Sequence, residues 1–349
     1  MRRILVGAGI VAIALAAWAG AYFTLNGNAV ASRGDVYSNS AASSARAGTP
    51  LAILVWNLGY GGLGKDSDFI SDGGAHMFPP SRAAVRANVD AIGELVARDA
   101  SGVIVLQEVA EAGPVNYWVN LRDRLDDALA ARNQVFFADF ETRLMPWPLH
   151  MRHGQAIYST YAVESADVVP LPAEDTAIFG VKRRYASVVA RIPIEGRDGA
   201  GWTVASVHLA AFDPDAAVRT RQLRELMAWA QNEYERGQYV VLAGDWNFQI
   251  TETAFPHTTS EEYLFWLFPF PRDVLPEHWR LGADAVVPSV RTNHQPYVPG
   301  ENYVTTIDGL IVSPNVVIES VAGVDLGFEH TDHHPVRARV RTNDEQSND

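Results

Sequence analysis

The chain of 349 residues contains no cysteine. That excludes disulfides and any thiolate metal site, so a metal here would have to be held by oxygen and imidazole donors. Internal repeats are also missing. No low-complexity linker interrupts residues 50–340, which makes one large domain the simpler organisation of that stretch. A broad basic footprint is absent too. The formal net charge is −13, and the first 49 residues hold four arginines against one aspartate, so the remainder is more acidic still. Such a balance weighs against tight gripping of nucleic-acid phosphates by the protein surface. It leaves room for a nuclease whose bound cation supplies the positive charge.

The long hydrophobic run is at the start. Arg2 and Arg3 precede an uncharged apolar stretch from Ile4 to about Leu25, and the next charge is Arg33. A run of roughly 20 apolar residues can cross a bilayer. The same layout fits a secretory signal peptide with Ala29-Val30-Ala31 as its cleavage site, but the stretch is long for that, which favours an uncleaved anchor. Either way the two arginines stay cytoplasmic and the rest is exported, membrane-anchored facing the periplasm or exterior, or secreted. The expected divisions are an anchor or signal segment over 1–31, a flexible tether over 32–49, a catalytic domain over 50–341 and a polar tail over 342–349.

Within that domain, short apolar runs repeatedly end in an acid, amide or histidine. Leu51–Val55 leads into Trp56-Asn57, Val103–Leu106 into Gln107-Glu108, and Val204–Val207 into His208. Tyr239–Leu242 leads into Gly244-Asp245-Trp246-Asn247, and Val304–Ile307 into Asp308. A sixth group, Thr331-Asp332-His333-His334-Pro335, precedes the alternating Val336–Val340. Buried strands that deliver such groups to their ends assemble one site along the edges of a sheet. Carboxylates, an amide and histidines suit a hard divalent cation and phosphate chemistry.

Apolar spacing places three helices. One is capped by Ser81 and carries Val85, Val89, Ile92 and Val96. A second carries Trp118, Leu121, Leu125 and Leu129. A third runs from about Pro214 through Leu223, Leu226, Met227, Ala230 and Tyr234 to Gly237. The glycine-rich loop 59–80 is long and irregular, which often marks a functional rim. Strands outnumber helices, which suggests mixed sheets with helices outside.

The six constellations, in this order, resemble the endonuclease/exonuclease/phosphatase superfamily over about residues 50–341. That group includes deoxyribonucleases, apurinic endonucleases, inositol-polyphosphate phosphatases and bacterial sphingomyelinases. The resemblance implies an α/β (α+β) fold: a four-layered sandwich of two mixed β-sheets with helices on the outer faces. It also implies a metal set of Asn57, Glu108 and Asp332, with Glu108 the principal ligand of Mg²⁺, or of Mn²⁺ in its place. Asn57 is a neutral ligand or a partner behind the ligands, and Asp332 completes the site through a water or a second ion. The catalytic set is His208, Asp245, Asn247, Asp308 and His333. Asp245 would hold the attacking water and Asn247 a phosphoryl oxygen. His333 polarises water or phosphate, Asp308 orients His333, and His208 contacts phosphate and assists the leaving group.

The implied function is divalent-metal-dependent phosphoester hydrolysis outside the cytoplasm, by in-line attack of metal-activated water on a phosphodiester. The substrate would be nucleic acid or a lipid headgroup, with the membrane engaged through the N-terminal segment and no protein partner expected. A phosphomonoesterase and a non-catalytic, metal-binding envelope protein are the alternatives. His334 is expected to face away from the site, and His153 divides evenly between a structural and a rim role. Arg143, Arg152, Arg183 and Arg184 are phosphate-binding candidates that read first as solvated surface. The aromatic block 263–271 reads first as packing beneath the rim and second as a patch that dips into a bilayer.

Overall fold

The computed structural model describes residues 2–27, 35–37, 42–178 and 180–343. In chain order the elements are α1 (Arg2–Asn26), β1 (Asp35–Tyr37), β2 (Ala45–Arg46), β3 (Leu51–Asn57), α2 (Arg82–Arg98), β4 (Val103–Ala110) and α3 (Leu121–Ala128). Next come β5 (Asn133–Glu141), β6 (Arg152–Ser159), β7 (Ser165–Pro170), β8 (Ala186–Glu195), β9 (Gly201–His208), α4 (Ala217–Glu235) and β10 (Tyr239–Asp245). The chain continues with β11 (Arg280–Gly282), β12 (Val290–Arg291), β13 (Val304–Thr305), β14 (Asp308–Val312), β15 (Val316–Gly323) and β16 (Val336–Thr342).

Strand alternation builds the layers. In β3, Ile53 and Val55 point one way and Leu54 and Trp56 the other, because successive side chains leave opposite faces. Ile53 and Val55 join Val103, Val105, Val204, Val241 and Leu310 in a core shared by two sheets. Leu54 and Trp56 pack instead on Val85, Val89 and Ile92 of α2 and Leu121 and Leu125 of α3. The second sheet repeats the pattern: Val207, Val240 and Leu242 face Leu223, Leu226 and Met227 of α4. The result is the expected four-layered α/β sandwich. One sheet has the order β1-β5-β6-β4-β3-β16-β15, and the other β11-β14-β10-β9-β8-β2 with β7 beside β8.

Helix boundaries follow local chemistry. Ser81 caps α2, its Oγ accepting from the Ala84 N–H at 3.1 Å; such a cap contributes about 1 kcal/mol. The second helix starts later than its apolar spacing suggests. Asn120 caps it, and Trp118 lies outside with a φ of 55° and its indole N–H bonded to the Pro148 carbonyl. The third begins at Ala217 and ends just before Gly237, whose φ of 83° suits the residue that stops a helix.

Two further expectations need adjusting. Parts of the expected tether pair with sheet margins: Asp35–Tyr37 joins β5 and Ala45–Arg46 joins β8. Those strands carry open rows of hydrogen-bonding groups that a passing chain can satisfy. The expected cleavage site at 29–31 and residues 344–349 of the tail lie outside the described residues.

The other adjustment concerns Asp308, which opens β14 rather than closing a strand. This sheet geometry still brings it to the same edge. β14 runs antiparallel to β10, so its first residue pairs with the last residue of β10, Asp308 against Asp245. Likewise β16 is antiparallel to β3, with Val336 opposite Val55, so Asp332 and His333 precede it at the edge where Asn57 ends β3. Parallel strands contribute their carboxyl ends and antiparallel strands their amino ends to one rim.

Candidate active site

Seven of the eight expected residues line one cleft on that rim: Asn57, Glu108, His208, Asp245, Asn247, Asp332 and His333. Asp308 sits behind them, fully buried. Its Oδ2 accepts from the Ser289 hydroxyl at 2.6 Å and contacts His333 Nδ1 at 2.8 Å. An ionised aspartate only accepts, so His333 carries hydrogen on Nδ1 and turns Nε2 toward Asp245, 3.9 Å from its Oδ2. Burial works against the His333 charge, but Asp308 and then Asp332 and Asp245 raise its pKa to about 10. The Trp56 indole fixes the backbone here by donating to the His333 carbonyl at 2.9 Å.

Asp245 is held at both oxygens. The Asn57 amide donates to Oδ2 at 3.0 Å and the Asn247 N–H donates to Oδ1 at 2.9 Å. Burial and the neighbouring Asp308 raise its pKa to about 6. Asn57 therefore orients Asp245 with its nitrogen, while its oxygen accepts from the Gly59 N–H at 3.1 Å. Gly59 is required where it stands: φ is +51°, and a Cβ would lie 2.8 Å from Asp332 Oδ1. Gly244, one residue before Asp245, allows β10 to close on β9; a Cβ there would lie 1.9 Å from the Val207 carbonyl oxygen.

Glu108 and Asn247 occupy left-handed backbone, with φ of 55° and 52°. Non-glycine residues rarely adopt it unless their surroundings hold them there. For Glu108 the cause is a β-bulge in the pairing of β4 with β6, between Leu106 and Val109. For Asn247 it is Arg219, a fully buried residue of α4. Arg219 is paired to Asp213 at 2.6 Å and donates to the carbonyls of Asn247 and Trp266 at 2.6 and 2.9 Å.

Sequence reasoning placed Arg183 outside the site, and the structure brings it in. Its guanidinium donates twice to Asp139 Oδ2, at 3.0 and 2.7 Å, and contacts His208 Nδ1 at 2.9 Å. Arginine only donates, so Nδ1 accepts and the His208 proton sits on Nε2. That nitrogen faces Glu108 and Asp245 at 3.7 and 3.8 Å. Burial, and then the Arg183 charge, hold His208 well below the usual imidazole range, so it is neutral. Tyr60, Asp72 and Asn293 also line the cleft without having been anticipated. Asn293 bridges Asp72 and Asp332 at 3.1 and 2.6 Å. No local pattern marks these residues; only the fold brings them to the rim.

The remaining candidates have structural partners. His334 stacks on Phe328 at 3.7 Å and accepts from the Phe328 N–H, facing away as expected. His153 stacks on Phe140 beside Asp139, which gives it a supporting position. Arg152 is tied to Asp35 and Glu111. In the aromatic block, Trp266 and Phe270 are buried and Phe265 is the one exposed aromatic, stacked on Phe212 at 6.2 Å, so the block is mainly packing beneath the rim.

The donor chemistry fits a divalent cation. Glu108, Asp245 and Asp332 converge with no lysine among the lining residues. Among the described residues no donor hydrogen-bonds to the Glu108 carboxylate, and burial together with Asp332 raises its pKa to about 8. Asp245, Asp308 and His333 bring ligand-type atoms within 4.8 Å of one another. In that trio Asp308 already bonds His333, and Asp245 accepts from Asn57 and Asn247, whereas the Glu108 carboxylate accepts from no donor among the described residues.

Oxygen donors and two oriented imidazoles at the shared edge of a four-layered sandwich define a phosphoester-hydrolase class. The sequence signature of the Endonuclease/Exonuclease/phosphatase family matches residues 54–333, and the chain belongs to that family. No curated protein sequence matches it. An endonuclease/exonuclease/phosphatase from Beutenbergia cavernae is similar in fold, at 20% identity and TM-score 0.55 over 84% of this chain and 72% of that one. Its counterpart from Bacteroides vulgatus gives 15% identity and TM-score 0.54 over 84% of this chain and 99% of that one. TDP2 from Caenorhabditis elegans gives 14% and 0.52 over 85% and 75%. At these identities the likeness establishes the fold.

Proposed function

We propose that the chain is a divalent-cation-dependent phosphodiesterase acting outside the cytoplasm on a nucleic acid or a lipid headgroup. The observation that carries this reading is the opposed pair of imidazoles around Asp245: a cationic His333 and a neutral His208, each directing Nε2 toward the same carboxylate. Two donors facing one acceptor match a phosphoryl group flanked by its attacking water.

The cation would be held by Glu108 and Asp332, with the Asn57 oxygen nearby, and would neutralise charge on the phosphoryl oxygens. The protein groups perform the remaining tasks. Asp245, aligned by Asn57 and Asn247, takes a proton from water as the water oxygen bonds to phosphorus. His333, held by Asp308, donates to a phosphoryl oxygen. His208, through its Nε2–H, hydrogen-bonds the departing oxygen and stabilises its charge as the P–O bond breaks, that oxygen taking its proton from solvent, and Arg183 at Nδ1 keeps the His208 hydrogen on Nε2. The products are a phosphomonoester and an alcohol.

The test compares initial rates of the purified full chain with Mg²⁺ on plasmid DNA and on mixed phospholipid–sphingolipid vesicles, with Asp245→Ala as control. Hydrolysis of either substrate that vanishes in the variant and in EDTA supports the reading and names the substrate. Activity that survives EDTA, or turnover of neither diester, refutes it.

A further inference from the structure

The expected anchor does not stand clear of the domain. α1 is a 25-residue helix whose segment Gly9–Asn26 is, among the described residues, long and apolar enough to cross a membrane. Ile10, Ile13 and Leu15 are exposed, as in a helix meant for lipid, but Tyr22 and Asn26 are buried against the catalytic domain. The Asn26 side chain makes two hydrogen bonds to the Arg143 backbone, N–H and C=O, both 2.9 Å, and its own carbonyl accepts from the Lys182 N–H at 2.9 Å. Further up the helix, the Trp18 indole donates to the Leu144 carbonyl at 3.1 Å. Two adjacent loop residues, Arg143 and Leu144, thus hold the β5–β6 loop against the carboxyl-terminal turns of α1.

Those contacts set depth. A span beginning after Arg3 needs about 20 apolar residues to cross a hydrocarbon core of about 30 Å, which puts the far boundary near Phe23. Asn26 then lies just outside that boundary, and the adjacent loop residues Arg143 and Leu144 sit beside it at the level of the interface. The loop continues into Trp147 and Leu149, 80% and 56% exposed, and Ile178 beside the same helix end is 61% exposed. Exposed apolar side chains beside the end of an apolar helix are well placed in a bilayer interface, where tryptophan is favoured.

We infer that the β5–β6 loop is a membrane-docking element: Leu144, Trp147 and Leu149, with Ile178, insert into the outer interface of the bilayer that α1 crosses. The docked loop begins just after Asp139, and Lys182 precedes Arg183, so the rim holding the Arg183–His208 pair lies next to the lipid surface. The inference rests on α1 being retained as a span and is independent of the reaction at the site.

The absence of cysteine makes the test direct. Ile13→Cys, Trp147→Cys, Leu149→Cys and Val286→Cys are each made in the full chain, labelled with an environment-sensitive fluorophore and reconstituted into vesicles containing nitroxide-bearing lipids. Val286 is 79% exposed and neighbours Val287, which packs on Gly323 of β15 at the sheet margin opposite the β5 side. The expected result is loss of most fluorescence at 13, 147 and 149 and little at 286. Labels at 147 and 149 that behave like 286, while 13 is quenched, overturn docking but leave the anchor standing. Quenching at none of the four overturns both, as does protein recovered from its native membrane without residues 2–27.

Discussion

Replacing Arg183 with methionine separates two effects that the structure assigns to one side chain. Asp139 is buried, and its charge is matched by the Arg183 fork at 3.0 and 2.7 Å. Burial opposes ionisation, but Arg183 and then His153 hold the Asp139 carboxyl well below the usual carboxylate range. Removing one partner of such a pair costs about 3–5 kcal/mol, because a buried charge is left behind. At roughly 2 °C per kcal/mol for a chain of this size, the melting midpoint should fall by roughly 6–10 °C. A depressed carboxylate contributes stability above its unfolded pKa, so the wild-type advantage should be full above about pH 4 and fade below it. The Arg183→Met/Asp139→Asn double variant removes both charges and should recover part of the loss. Activity should behave differently. Without the Arg183 donor, His208 Nδ1 can take the proton and Nε2 loses its role, a change worth roughly 10²–10⁴-fold in turnover. The double variant should stay as slow as Arg183→Met even while its melting point recovers. Melting curves and turnover on one diester, measured for the full cycle, decide the matter. Additive melting shifts, or turnover that recovers with stability, would refute the coupling of Asp139, Arg183 and His208.

Metal-free protein should lose stability as pH rises from about 6.5 to 8, since Glu108 at about 8 and His333 at about 10 hold protons that the unfolded chain releases at lower pH. His208, depressed in the fold, contributes a pH dependence only below about 6.5. Added Mg²⁺ should flatten that slope in melting curves, and a profile indifferent to Mg²⁺ would remove Glu108 from the ion seat. Calorimetric titration of Mg²⁺ at pH 7 should release protons, seen as a dependence of apparent enthalpy on buffer ionisation heat; no buffer dependence would contradict the raised Glu108. Gly59→Ala should cost more than the roughly 1–2 kcal/mol of its left-handed backbone, because the new methyl meets Asp332. It should also weaken metal dependence, which a plain loss of stability would leave unchanged. Trp266→Ala, in a buried position under the rim, should destabilise by about 3–5 kcal/mol without altering vesicle binding.

The sheet edges were legible because strand burial and polar termini are both local patterns. Val103–Leu106 followed by Gln107-Glu108 reads as a buried strand delivering a carboxylate, and β4 does so. The helix carrying Val85, Val89, Ile92 and Val96 was legible for the same reason, with a serine to cap it. Trp118 misled because its spacing continues the apolar stripe of α3, while Asn120 caps the helix and sets its true start. Asp308 reached the expected edge from an unexpected strand end, since sequence alone does not reveal whether β14 runs parallel or antiparallel to β10.

What stayed hidden is long-range. Arg183 resembles any surface arginine until β5 places Asp139 beside it from 44 residues away, and β9 adds His208. The two histidines consequently differ in kind. His208 is held neutral by burial and then by an arginine at Nδ1, and His333 is charged by an aspartate at Nδ1 against its burial, although both direct Nε2 at Asp245. Sequence identifies both imidazoles as candidates and leaves open which is base and which acid. Their Nδ1 partners set the difference: both imidazoles present N–H groups to the cleft, and in the mechanism proposed above the proton acceptor is Asp245, which burial and Asp308 raise to about 6. On the proposed mechanism water attacks from the Asp245 side, and the leaving group should then depart toward His208, on the Arg183 side of the rim.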